Sequence, residues 1–133
     1  MRRSVWIQLI ILSFAFFENE INAQENNKDS ISFSWETYDF GIVERGRTVY
    51  CHLTVSNNSD TVILLDTIIN ECSCLKIKSK TKIIKPFQSI VLEFCWNTSK
   101  KKEGKNSQQI GLVFTDSDIV KRIVISAYIY GTV

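Results

Sequence analysis

The stretch TVYCHLTVSN, Thr48 to Asn57, alternates along its whole length. Val49, Cys51, Leu53 and Val55 fall on one side, and Thr48, Tyr50, His52 and Thr54 on the other. Successive side chains of an extended chain point to opposite faces, so a period of two marks a strand with one buried face. The Asn57-Asn58-Ser59-Asp60 cluster that follows is a turn, because Asn and Asp side chains bond local backbone and tolerate left-handed conformations.

The same period extends outward from this strand. From Ile31 onward the chain reads as extended. Thr61 to Glu71 is a strand whose alternation breaks near Asp66-Thr67, which predicts a bulge. Lys76, Lys78, Lys80 and Lys82 line one side of the next segment, with Leu75 and Ile77 on the other. A lysine row of this kind faces solvent or blunts an edge strand. Ile84 to Gln88 turns the chain. Ser89 to Asn97 then sets Ile90, Leu92, Phe94 and Trp96 against Val91, Glu93 and Cys95. Thr98 to Asn106 reads as a lysine-rich loop, with Lys100, Lys101 and Lys102 solvated. Ser107 to Thr115 groups Ile110, Leu112 and Phe114; Asp116-Ser117-Asp118 turns; and Ile119 to Tyr130 directs Ile123, Ile125, Ala127 and Ile129 inward. Short strands separated by turn signals, without a helical period, define an all-β fold: an antiparallel β-sandwich of about seven strands over residues 31–133.

Residues 1–23 have a different character. Arg2 and Arg3 precede an apolar run from Val5 to Phe17, followed by Glu18, Asn19, Glu20 and a small residue, Ala23. This is the layout of a signal peptide, helical and cleaved after Ala23. The run falls short of the roughly 20 apolar residues of a spanning helix, so the processed chain is expected not to span a membrane. The polar residues 24–30 form a flexible leader. The expected location is therefore the periplasm or the extracellular space. A net charge of +2 is too balanced for a nucleic-acid binder.

An exported domain can use its four cysteines in disulfides. Cys51 shares a face with Leu53 and Val55, whereas Cys95 lies opposite Phe94 and Trp96. A strand pair bridges only residues on one face, so these two are not partners and Cys51 is a small buried hydrophobe. Cys72-Ser73-Cys74 remains. In an extended strand these cysteines have Cα atoms about 6.5–7 Å apart, at or past the disulfide limit, so a bond between them requires a local turn. A bridge from Cys95 to one of the triplet is the second choice. Cys72 and Cys74 form the candidate thiol site, expected at a strand end with Lys76 and Lys78 supplying positive charge.

Other chemistry is thinly supplied. One histidine, His52, leaves a tetrahedral metal site short of ligands. No Gly-x-Ser-x-Gly elbow occurs, and Asp39-Phe40-Gly41 lacks the other kinase motifs. No cofactor is expected.

Tyr38-Asp39-Phe40-Gly41-Ile42-Val43, Gly46, the strand ending at Asn57, Cys72-Ser73-Cys74, Pro86, Phe94 to Thr98 (FCWNT) and Gly131 occur in an order that resembles a secreted bacterial family, domain of unknown function 1573. The resemblance spans about Phe33 to Val133. It implies an immunoglobulin-like sandwich related to sperm-protein and pilus-chaperone domains, and an exported location. It brings no established reaction. Two positions depart from the family pattern. Ser73 replaces the glycine of a Cys-Gly-Cys triplet, and Phe87 replaces the glycine of a Pro-Gly turn. The expected function is an exported, non-catalytic binding or scaffolding module with an unidentified protein or cell-envelope partner. The alternatives are a thiol-dependent redox or soft-metal function at Cys72 and Cys74, and a strand-donating chaperone-like module.

Overall fold

The computed structural model describes residues 30–115 and 119–131. The expected signal peptide, most of the expected leader and the turn expected at Asp116-Ser117-Asp118 lie outside the described residues. The described residues contain nine strands and no helix: β1 (Ile31–Phe33), β2 (Thr37–Glu44), β3 (Thr48–Asn57), β4 (Ile63–Ile69), β5 (Leu75–Ser79), β6 (Ile83–Ile84), β7 (Ser89–Asn97), β8 (Gly104–Phe114) and β9 (Val120–Tyr130). They form two sheets. One has the order β1-β3-β7-β5, the other β2-β9-β8-β4-β6.

Alternation along the strands builds the core between the sheets. Leu53, Val55, Leu92, Phe94 and Trp96 from the first sheet meet Ile110, Leu112, Phe114, Ile123 and Ile125 from the second, each at most 2% exposed. Cys51 is buried on the same face, opposite Phe94 in register. The bulge expected near Asp66-Thr67 is present: the pairing of β4 with β8 shifts between Leu65 and Thr67.

Three features differ from the sequence reading. The sandwich is not wholly antiparallel, because β2 runs parallel to β9. The chain leaves one sheet and joins the other within a few residues. Ser34 N still donates to Thr54 O, while Glu36 O already accepts from Val124 N. Trp35 sits at this crossing, its Nε1 donating to His52 O at 2.7 Å and its ring lying against Tyr38 and Phe94. A period of two carries no strand direction, so pattern alone could not separate parallel from antiparallel pairing. The strand count is nine because the first segment divides between the sheets and because Ile83-Ile84 adds a short edge to β4. Finally, β8 begins at Gly104, inside the segment read as a loop, since Gly104 to Asn106 pair with Ile129 to Ala127.

The lysine row divides. Lys76 and Lys78 lie on β5, an edge strand as expected, whereas Lys80 and Lys82 lie beyond its end. At the other end of the sandwich, Pro86 and Phe87 form a turn closed by Gln88 N donating to Lys85 O. Phe87 takes a positive φ of 57°, the position usually given to glycine, and its side chain stays in solvent. Asn57 ends β3 with its amide buried, donating to the carbonyls of Thr61, Ile84 and Lys85.

Candidate functional site

The cysteine triplet bends where β4 hands over to β5. Leu75 N donates to Cys72 O at 3.2 Å, closing a tight turn over Cys72-Ser73-Cys74-Leu75. The turn brings the Cα atoms of Cys72 and Cys74 to 5.1 Å, and the two are joined by a disulfide. That separation is ordinary for the bond and well inside what an extended strand would give. Asn70 braces the turn from both sides. Its Oδ1 accepts from Cys72 N and its Nδ2 donates to Leu75 O. Asn97 N donates to Cys74 O and ties the turn to β7. Ser73 does not adopt a positive φ, so this turn has no need of glycine at its centre.

Two donors converge on one of the two sulfurs. Cys74 N lies 3.2 Å from Cys72 Sγ, and Lys101 Nζ lies 3.7 Å from it. Lys101 is held in place by its surroundings. Its ammonium stands 5.8 Å from the centre of the Trp96 ring, its carbonyl accepts from Arg45 Nε, and its amide donates to Thr98 O. Thr98 anchors this loop. It is fully buried, its hydroxyl donates to Arg47 O at 2.7 Å and accepts from Gly46 N. The neighbouring indole Nε1 of Trp96 is buried without a hydrogen-bond partner.

A bridge from Cys95 to the triplet is not formed: Cys95 is a free, half-buried thiol. It faces outward on β7, between Tyr50 on β3 and Lys76 on β5. It does, however, share a cleft of about 260 Å³ with Cys74, whose other walls include Ser73, Lys76, Asn97 and Lys100. Cys72 does not line this cleft, and Lys101 Nζ lies 3.7 Å from its Sγ. The fourth cysteine, Cys51, is free and buried, and burial pushes its thiol from 9.0 up to about 11.

The expected positive charge is present but comes partly from other residues. Lys76 lines the cleft, whereas Lys78 faces a separate groove beside Val91 and Glu93. Lys101, read from sequence as part of a solvated run, places its ammonium 3.7 Å from Cys72 Sγ. It is 29 residues from Cys72, and only the fold brings them together. His52 is paired across β3 and β7 with Glu93 at 3.6 Å. Among the described residues no group of three or more His, Cys, Asp or Glu side chains is arranged to hold a metal ion. The arrangement can therefore perform thiol–disulfide chemistry: a half-buried bond between two cysteines, with two donors directed at the sulfur of Cys72 and with Cys74 lining a cationic cleft.

Solved structures with similar folds come from varied settings. A protein of unknown function from Porphyromonas gingivalis W83 superposes with a TM-score of 0.65 at 16% identity, covering 79% of this chain and 51% of its own. The present chain thus spans about half the length of that relative. The PapD-like domain 7 of human CEP192 gives 0.63 at 10% identity, over 83% of this chain and 94% of that domain. The periplasmic chaperone SfaE gives 0.55 at 16% identity, over 77% and 58%. These likenesses establish an immunoglobulin-like, PapD-like fold. No curated protein matches the chain. The ordered motifs now have physical roles: Gly41 and Gly46 take positive φ at a bulge and a turn, Asn57 and Thr98 anchor strand ends, and the cysteine triplet closes a turn. The sequence model of the family described as a protein of unknown function, DUF1573, matches residues 31–129, and the chain belongs to that family.

Proposed function

We propose that the protein is an exported, non-catalytic module that binds a protein partner through the outer face of β2 and β9. Export rests on the basic start, short apolar run and small cleavage residue of residues 1–23. The observation that carries the binding face is the pairing of Ile42 with Tyr128. They sit opposite each other in register, 75% and 52% exposed, with Tyr130 two residues further along the same face. Tyrosine supplies a large apolar body with a polar tip, and it is enriched where proteins meet.

The sheet edges favour a face over strand donation. β1 has three residues and β6 two, β5 carries Lys76 and Lys78, and β2 is bulged between Asp39 and Ile42. Each of these features blunts an edge against pairing with another chain. Among the described residues no helix is long and apolar enough to cross a membrane.

A photo-crosslinking residue at Tyr128, expressed in cells from the full chain, should give a discrete adduct with a single protein. The same residue at Glu103 should give none, and Ile42→Ser should abolish the Tyr128 adduct without lowering Tm. Adducts of equal intensity from both positions, or an adduct indifferent to Ile42→Ser, would refute the assigned face.

A further inference from the structure

We propose that the Cys72–Cys74 bond is a thiol–disulfide exchange site, in which Cys74 is the sulfur attacked, Cys72 the sulfur that leaves, and the incoming group a thiol bearing carboxylates. This stands on residues separate from the β2–β9 face and does not depend on it.

The two sulfurs are inequivalent. Cys74 lines the cleft shared with Lys76 and Lys100, so an incoming thiolate reaches it from solvent. Cys72 instead receives the Cys74 amide at 3.2 Å and the Lys101 ammonium at 3.7 Å. Exchange is faster when the departing thiolate is better stabilised, and an ammonium and a peptide N–H already point at the place where that charge develops. The Trp96 ring, the Arg45 side chain and Thr98 hold Lys101 there before any reaction begins.

The step balances. The incoming thiolate attacks Cys74 Sγ, and a new S–S bond forms as the Cys72–Cys74 bond breaks. The electron pair departs on Cys72 Sγ, and the proton lost by the incoming thiol passes to solvent or to Cys72. The incoming thiol is oxidised to the mixed disulfide and Cys72 is reduced. The cleft selects by charge, since Lys76 and Lys100 line it and its residues include no carboxylate.

The test compares mercaptoacetate, 2-mercaptoethanol and cysteamine on the full mature chain carrying Cys95→Ser, which keeps the third thiol out of the products. Rates are expressed per thiolate, and the released thiol is trapped by alkylation. Peptide mapping should place the incoming thiol on Cys74 and the alkyl group on Cys72. At low salt mercaptoacetate should react about tenfold faster than cysteamine, with the gap closing near 1 M salt as surface charge is screened. Lys76→Gln with Lys100→Gln should erase that preference. Lys101→Gln should slow all three thiols about tenfold, and Lys101→Arg should restore most of the rate. An adduct on Cys72, equal rates for the three thiols at low salt, or full speed in Lys101→Gln would overturn the proposal. The mapping uses the parent side chains at every lysine, so it decides the direction of attack even if a lysine variant fails to fold.

Discussion

Along β7, Ile90, Leu92, Phe94 and Trp96 are buried and the residues between them are not, whereas from Asn70 to Cys74 no side chain is fully buried: Asn70, Cys72 and Cys74 are half-buried and Glu71 and Ser73 exposed. The strand interior is built by a local rule, the two-residue pleat. The turn is built by Asn70 beside it and by distant residues meeting once: Asn97, Thr98, Lys101 and Arg45. Cys51 and Cys95 show the contrast on neighbouring strands. Cys51 faces Phe94 in the core, while Cys95 faces outward beside Tyr50. One cysteine is inert packing, and the other belongs to the cleft.

The largest expected effect lies in the periodic region. Phe94→Ala or Trp96→Ala removes a fully buried ring and should cost about 3–5 kcal/mol by denaturant unfolding. A variant that unfolds within about 1 kcal/mol of the parent would break the strand phase. Trp96→Phe should cost less than Trp96→Ala, because it keeps an aromatic ring in the core and leaves a smaller cavity while still removing the unpartnered buried indole N–H.

Next is the pH response of the core cysteine. Burial raises the Cys51 thiol from 9.0 in the open chain to about 11 in the folded protein. The folded state therefore holds the proton that the unfolded chain releases. The stabilisation is complete below about pH 9 and is lost as pH rises through about 11, a fall of up to about 2–3 kcal/mol. In Cys51→Val that part of the alkaline decline should disappear from the stability curve. Its persistence unchanged would mean that Cys51 is not buried as a thiol.

The cysteine turn should matter much less to stability. A bond closing so short a loop removes little freedom from the unfolded chain, about 1.6 kcal/mol in the entropic model. Replacing Cys72 and Cys74 together by Ala should therefore lower stability by less than about 2 kcal/mol. A loss as large as that of Phe94→Ala would make the turn part of the structural core and erase the distinction between the two regions.

The smallest expected effect has the opposite sign. Phe87 holds a left-handed backbone with an exposed ring, which costs an L-residue roughly 1–2 kcal/mol. Phe87→Gly gives back part of that strain but loosens the unfolded chain, so a net gain of about 0.5–1 kcal/mol is expected in thermal or denaturant unfolding. A loss would show that the ring makes a stabilising contact.

This division also explains what could be read before the fold was known. The core residues from Leu53 to Ile125, the bulge after Leu65, the edge position of Lys76 and Lys78 and the burial of Cys51 all follow from alternation and turn chemistry. The parallel pairing of β2 does not, because it depends on which sheet the chain joins after Trp35. The role of Lys101 was hidden within a run of three lysines, since no local feature distinguishes the one that reaches Cys72. The Cys72–Cys74 bond was legible only as a condition, a local turn, and the turn depends on Asn70 and on a backbone bond from Asn97 on β7.

Differential alkylation of the native, oxidised protein, followed by peptide mapping, tests the contrast between the two regions most directly. Cys95 should label first without reductant, Cys72 and Cys74 should appear together after mild reduction, and Cys51 should react only on unfolding. Label on Cys51 in the native state, or on Cys72 or Cys74 before reduction, would contradict both the buried strand face and the bonded turn.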